Sequence, residues 1–177
     1  ALLMATCRAL VRQRTAVPGT LADIVTDVNR QLVCDVEESC QFMALFYLAF
    51  DLQRRTLAWV RAGHKPAIFC DPATGSTEQL RGSGMALGID ENWRYRQYYK
   101  AQLTAGQIIV LGTDGLWEAL DREGEMFGRN PIIKILNQYP DIDANGILTA
   151  CLFALDGFRD GRPVEDDVSM VVIKDTN

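Results

Sequence analysis

The chain has 177 residues, with 18 lysines and arginines against 23 aspartates and glutamates, so its formal charge is −5. Hydrophobic residues make up 48% and charged residues 23%, a globular composition that excludes disorder, while the acidic balance argues against nucleic-acid binding. The longest apolar run, 42–50, is shorter than the roughly 20 residues of a membrane helix, so we predict no membrane span. Five cysteines without a CxxC pair, and one histidine, predict a reduced, cytoplasmic domain without structural zinc.

The start of the chain has helical character. Residues 1–14 form the first predicted helix, but no capping residue precedes it, so we expect the sequence to begin within or at the start of a helix. After the break at Pro18 and Gly19, Thr20 can cap a second helix that runs to Cys34 with apolar residues at helical spacing. We predict that the two helices form a hairpin.

The middle of the chain is typical of short strands joined by tight turns. These strands are predicted at 41–51, 56–62, 67–70, 77–80, 95–101 and 107–111. Helices follow at 130–138 and 143–158, and the strand 168–173 closes the chain. Because no crossover helices separate the first strands, the pattern predicts antiparallel sheets in an α+β fold.

Two acidic segments border predicted strands and are the main candidates for chemistry. Asp114 and Gly115 follow the strand 107–111, where a carboxylate can project into a cleft and glycine lets the backbone approach a ligand. Asp166 and Asp167 lie directly before the last strand, and neighbouring carboxylates need solvent or a cation because they repel each other. Oxygen ligands suit Mg²⁺ or Mn²⁺, but spacing alone is equally compatible with two plain acidic turns.

The single histidine, His64, lies in the turn AGHKP at 62–66. It is either a general acid or phosphate contact, or a turn residue that hydrogen-bonds to the backbone. The chain has no GxSxG motif to support a Ser-His-Asp hydrolase. The glycine-rich GSGMALG at 82–88 is neither a Walker loop nor a dinucleotide fingerprint.

In their order, these motifs resemble those of the SpoIIE/RsbU branch of the PPM-type, metal-dependent serine/threonine phosphatases of bacteria. The matching segments cover nearly the whole chain: ALLMA at 1–5, FMALFY at 42–47, AGHKP at 62–66, GMALG at 84–88, LGTDGLWEA at 111–119, FG at 127–128 and DDVSMVV at 166–172. The resemblance implies that residues 1–177 form one partial domain of this type. Its fold would be a four-layer α-β-β-α sandwich, in which helices flank two antiparallel sheets.

The resemblance also implies a site and a chemistry. Asp114 and Asp166 would be catalytic metal ligands, Asp167 a weaker ligand, and Gly115 would approach the metal through its backbone. Two Mn²⁺ or Mg²⁺ ions in such a centre activate a water for in-line attack on phosphorus. The family's Gly-Asp and Asp-x-Ser-Gly-His-Gly motifs, whose aspartates complete the ligand set, precede the matching part of the chain, so we expect these residues alone to bind metal weakly and to be inactive.

The partners implied by the resemblance are a phosphoserine protein substrate of the anti-sigma-factor antagonist type and an upstream sensor or receiver domain. The helices within residues 1–34 would act as a switch and would offer a surface for a homodimer. Two alternatives to the enzyme stay open: a pseudophosphatase that binds a partner without chemistry, and a plain structural sandwich.

Overall fold

The computed structural model describes residues 2–36, 41–163 and 165–176. Their helices and strands are, in chain order, α1 (Leu2–Thr15), α2 (Leu21–Val36), β1 (Leu45–Asp51), β2 (Thr56–Ala62), β3 (Ala67–Asp71), β4 (Ser76–Leu80), β5 (Tyr98–Lys100), β6 (Ile108–Gly112), α3 (Asp114–Trp117), α4 (Asn130–Gln138), α5 (Ala144–Arg159) and β7 (Met170–Lys174). The chain divides into two compact units. The first contains the chain up to His64 and Arg81–Leu103, and the second contains Lys65–Leu80 and the chain from Thr104 onward.

The helical hairpin of the first unit is confirmed. Thr20 caps α2 as predicted, because its hydroxyl accepts a hydrogen bond from the Asp23 amide at 3.1 Å and the Asp23 carboxylate accepts one from the Thr20 amide at 2.9 Å. The bond from the Thr20 backbone lowers the pKa of the Asp23 carboxyl. Val25, Val28 and Leu32 of α2 are fully buried, so the apolar face of this helix builds the core of the unit.

The sheet of the first unit has the antiparallel order β1-β2-β5, and two of its strands are shorter than predicted. The predicted strand 41–51 begins only at Leu45, because Met43 forms an isolated bridge with Leu87 instead of extending the β1–β2 pairing. The first five residues of β1 are half-buried and its last two are exposed. The predicted strand 95–101 is reduced to β5 because Tyr95 is buried against α2, where its amide donates to the Thr26 hydroxyl at 3.2 Å.

The second unit has a four-stranded antiparallel sheet in the order β4-β3-β6-β7. The helices predicted at 130–138 and 143–158 are confirmed as α4 and α5, and the Asp143 carboxylate caps α5 by accepting from the Gly146 amide at 2.7 Å. The last strand begins two residues later than predicted, at Met170. The fully buried side chains shared by this sheet and its helices include Ile68, Ile108, Leu116, Ile132, Leu136 and Ile147.

The fold class is therefore confirmed as α+β with two antiparallel sheets and helices. The short helix α3, directly after β6, was not predicted from the sequence. None of the helices within the described ranges combines the length and the apolar character that crossing a bilayer requires.

Asn29 of α2 is a fully buried polar side chain. It fixes part of the loop at 81–97 of the first unit, which leads into β5. Its side-chain nitrogen donates to the Asp90 carbonyl at 2.8 Å, and its side-chain oxygen accepts from the Gly88 amide at 3.0 Å. The Asp90 carbonyl also accepts from the Trp93 amide at 3.2 Å. Asn29 therefore acts as a side-chain partner for the backbone of the loop at 88–90, as buried polar side chains commonly do.

Replacing Asn29 by alanine is expected to lower the free energy of unfolding by about 1–3 kcal/mol, because the fully buried Asn29 gives up its hydrogen bonds to the Gly88 amide and the Asp90 carbonyl. Urea denaturation of Asn29→Ala measures the change. Gln31→Ala, at an exposed position of the same helix, is the matched control and should stay within about 0.5 kcal/mol of wild type. Equal stability of the two variants would contradict the role given to Asn29.

Candidate metal centre

Asp114 is positioned by the turn between β6 and α3. The Trp117 indole nitrogen donates to the Gly112 carbonyl at 2.9 Å, and Leu116 is fully buried, so the short helix is held tightly against the end of its strand. A side chain at Gly112 would meet Leu116 at 2.5 Å, which explains the glycine. With these residues facing inward, the Asp114 side chain remains 56% exposed.

Thr113 joins this turn to the segment that leads into β7. Its hydroxyl donates to the Asp167 carbonyl at 3.0 Å and accepts from the Ser169 amide at 2.9 Å. Its own amide donates to the Ser169 carbonyl at 3.0 Å. These three hydrogen bonds bring the two predicted acidic segments together. The role of Thr113 was missed from the sequence, because its hydroxyl bonds to residues 54 and 56 positions further along the chain.

Gly115 lies where the backbones of the two segments come closest. A Cβ atom at this position would lie 2.6 Å from the Asp167 carbonyl oxygen and 3.0 Å from that of Asp166. Both distances are shorter than normal contacts, and both neighbours are backbone atoms. The absence of a side chain at Gly115 is therefore what allows the segment of Asp166 to approach α3.

Asp114 and Asp166 line the same pocket, which has a volume of about 170 Å³. The pocket is lined by Asp114, Gly115, Glu118, Ala119, Leu120, Arg159, Arg162, Pro163, Glu165, Asp166 and Val168. Asp167 is not part of this lining; its carbonyl bonds to Thr113 and its amide donates to the Asp166 carboxylate at 2.8 Å. The role of Asp167 as a metal ligand stays a prediction.

Two basic side chains not singled out from the sequence hold the acidic groups of this pocket. Arg162 donates to the Glu165 carboxylate at 2.7 Å and to the Asp121 carbonyl at 2.7 Å. The Lys65 ammonium lies 3.0 Å from the Glu118 carboxylate and 3.9 Å from the Asp114 carboxylate. Three carboxylates of the pocket, those of Asp114, Glu118 and Glu165, therefore lie beside cations of the chain itself.

His64 belongs to the first unit, whereas every residue that lines this pocket belongs to the second. Its ring packs edge-on against Phe46 at a centroid distance of 6.0 Å, and its carbonyl accepts from Arg61 at 2.7 Å. Both alternatives proposed for its side chain stay open.

Thiol chemistry finds no support in the buried cysteines. Burial raises the pKa of the Cys151 thiol to about 11, and burial is also the main reason why the pKa values of Cys7 and Cys70 are raised. These groups stay protonated near neutral pH and are poor nucleophiles. The prediction of reduced cysteines agrees with the four that the structure describes, which include the exposed Cys34 and are all free thiols; Cys40 lies outside the described residues.

The carboxylate oxygens of the pocket supply part of the ligand set of one hard cation. Mg²⁺ and similar ions bind oxygen ligands, and Mg²⁺ commonly takes one or two carboxylates and keeps several waters, which matches Asp114 and Asp166. Because Gly115 has no side chain, the segment that carries Asp166 can lie close to the segment that carries Asp114. In the part of the chain that the structure describes, no three Asp, Glu, His or Cys side chains form a group that could hold a metal ion. These residues therefore offer a partial ligand set for one ion.

Comparisons with known proteins assign nearly the whole chain to one protein family. The family described as Stage II sporulation protein E (SpoIIE) matches residues 1–175. The phosphoserine phosphatase RsbU of Bacillus subtilis is 23% identical over 153 residues, which cover 86% of this chain and 44% of RsbU. The chain thus spans less than half of the length of this curated relative.

Solved structures share the fold. The SiaA-PP2C domain of Pseudomonas aeruginosa superimposes with a TM-score of 0.84 at 20% identity, over 98% of this chain and 69% of that chain. The PP2C phosphatase domain of SpoIIE from Bacillus subtilis, with a fragment of its regulatory domain, gives a TM-score of 0.75 at 16% identity, over 96% of this chain and 49% of that chain. A second structure of the SpoIIE phosphatase domain was presoaked with Mn. At these identities the likeness supports the α+β fold alone.

Replacing Gly115 by alanine is expected to lower the free energy of unfolding by about 1–3 kcal/mol, since the new methyl group forces two backbone segments apart. The matched control is Gly157→Ala in α5, where a Cβ atom would meet nothing within 4 Å. This control should stabilise the protein by about 0.5–1 kcal/mol, because alanine favours a helix interior over glycine. Urea denaturation tests both, and a Gly115→Ala variant as stable as wild type would contradict the packing described for the site.

Proposed function

Because the chain belongs to the SpoIIE family, we propose that it acts as a metal-dependent protein serine/threonine phosphatase. The main structural support is the convergence of Asp114 and Asp166 on one pocket. Three hydrogen bonds of Thr113 and the missing side chain of Gly115 produce this convergence. The two aspartates are also the residues that match the family's metal-ligand motifs.

Asp114 and Asp166 would hold the cation through their carboxylates, with Asp167 as a weaker ligand and Gly115 close by through its backbone. Bound Mn²⁺ or Mg²⁺ supplies an activated water and charge neutralisation for phosphoryl transfer. Hydrogen bonds within the chain fix the positions of the Asp114 and Asp166 segments. The Asp167 amide donates to the Asp166 carboxylate at 2.8 Å, which orients that group before any ion binds.

We further propose that this chain alone holds metal weakly and has little or no activity. The described residues offer two carboxylates from the matching motifs and no group of three potential ligands. A centre of two ions ~3.5–4 Å apart needs more ligands than this, because two dications repel each other strongly. Further ligands would come from residues outside the described set.

The proposed substrate is a phosphoserine on a regulatory protein of the anti-sigma-factor antagonist type, in bacterial signalling in the cytoplasm. The similarity to the phosphoserine phosphatase RsbU supports this substrate. An attached sensor or receiver domain would act through the hairpin of α1 and α2, which would also provide a homodimer surface. These proposals rest on the family and not on the pocket.

A second candidate function is a pseudophosphatase that binds a protein partner without chemistry. The incomplete ligand set among the described residues favours it. For the enzyme, metal binding and phosphoserine hydrolysis both depend on Asp114. The pseudophosphatase hydrolyses no phosphoserine, whether or not it binds metal.

Replacing Asp114 by asparagine is expected to weaken Mn²⁺ binding at least tenfold, because the charge of a ligand is lost while its shape is kept. Titration of free Mn²⁺ by electron paramagnetic resonance measures the affinity, and hydrolysis of a phosphoserine peptide measures the activity of the intact protein. Glu123→Gln removes one exposed carboxylate outside the pocket and is the matched control.

The phosphatase proposal fails if Asp114→Asn and Glu123→Gln bind Mn²⁺ equally well. Metal binding that depends on Asp114, in an intact protein that hydrolyses no phosphoserine peptide, would favour the pseudophosphatase instead. Loss of both binding and hydrolysis in Asp114→Asn alone supports the enzyme.

A further inference from the structure

The side chain of Lys65 stands beside two carboxylates of the candidate metal centre. We propose that Lys65 is a built-in competitor of the metal ion, whose ammonium must leave Asp114 and Glu118 before a divalent cation binds. This inference deepens the proposed function and rests on the metal site described there. It assigns to Lys65 the regulation of metal affinity and no contact with substrate.

The contacts of the ammonium make the competition direct. The Lys65 nitrogen lies 3.0 Å from one Glu118 oxygen and 3.9 Å from one Asp114 oxygen. Glu118 and Asp114 lie one turn apart, so they present neighbouring carboxylates on the same side of the turn. A cation that binds to Asp114 meets a positive charge already placed there.

The backbone next to Lys65 is held beside α3 by a defined chain of contacts. The Pro66 carbonyl accepts a hydrogen bond from Arg129 at 3.2 Å. The Arg129 guanidinium lies over the Trp117 ring, 5.3 Å from its centroid, and Trp117 in turn donates to the Gly112 carbonyl. The segments that carry Lys65 and Asp114 are therefore both anchored through Trp117. Only the Lys65 side chain needs to move to release the Asp114 carboxylate.

The charges around the pocket explain why the ammonium is needed when no metal is bound. Four acidic side chains and two basic ones, Arg159 and Arg162, line the pocket, and Arg162 pairs with one of the acidic groups, Glu165. Lys65 is the cation that the structure places on Glu118 and Asp114. Without it, the repulsion between these carboxylates would rise, and a divalent ion would be attracted more strongly.

The ion pairs of Lys65 are weak enough for a divalent cation to displace the ammonium. The Lys65 and Asp114 side chains are 45% and 56% exposed, and ion pairs in such positions are weak because water screens them. A dication held by Asp114 and Asp166 can therefore replace the ammonium. Losing Lys65 should tighten metal binding by about two- to fivefold, the range expected for a partly screened pair.

The experiment compares Mn²⁺ affinities of the intact protein by electron paramagnetic resonance titration. Lys65→Met removes the charge and keeps most of the side chain, and it should bind Mn²⁺ about two- to fivefold more tightly than wild type. Lys65→Arg keeps the charge and should stay within about twofold of wild type. Lys134→Met makes the same change in net charge at an exposed position of α4 and should also leave the affinity unchanged.

Salt provides a second readout. Raising the ionic strength to about 1 M shortens the screening length to ~3 Å, so the affinity ratio between Lys65→Met and wild type should fall toward one. A lysine that only supports the fold would give no tightening at any salt concentration.

The possible outcomes separate the two proposals. If wild type binds Mn²⁺ through Asp114 but Lys65→Met binds it no more tightly than Lys134→Met, the role of Lys65 is wrong and the metal site stands. Weaker binding by Lys65→Met would also overturn it. If Asp114→Asn binds Mn²⁺ as well as wild type, the proposed metal site itself fails.

Discussion

The candidate site depends on the hydrogen bonds of Thr113. β6 and β7 are antiparallel neighbours, and Gly112 at the end of one strand pairs with Met170 at the start of the other. Acidic residues that follow the first strand and precede the second must therefore meet at the same edge of the sheet. The Thr113 hydroxyl extends this pairing beyond the ladder by donating to Asp167 and accepting from Ser169, so the carboxylates are held where the sheet ends.

A second constraint is the charge of the pocket. Carboxylates gathered at this end of the sheet repel one another, and the chain compensates with nearby basic side chains. Arg162 binds Glu165 and also the Asp121 carbonyl, which connects the loop after α3 with the segment before β7. Lys65 performs the corresponding task for Glu118 and Asp114. The carboxylates of the pocket are thus held in place by ion pairs of the chain itself.

The features predicted well from the sequence are those decided within a few residues. Thr20 and Asp143 cap their helices through bonds to amides three residues later, and the hairpin strand 56–62 is bounded by its own turns. The positions of the acidic residues at strand ends were also visible, because a strand end is a local property.

The features that the sequence did not reveal depend on distant partners. Met43 leaves the predicted strand because it pairs with Leu87, and Tyr95 leaves another because Thr26 offers its hydroxyl. The contact of Lys65 with Asp114 spans two segments whose proximity only the folded sheet produces. Local patterns of hydrophobicity and charge carry no information about such pairs.

The most direct test of the site is anomalous diffraction at the manganese edge from crystals of the intact protein grown with Mn²⁺. The account predicts a manganese peak within coordination distance of carboxylate oxygens of both Asp114 and Asp166. Manganese bound at other carboxylates, or bound to one of these aspartates without the other, would contradict it.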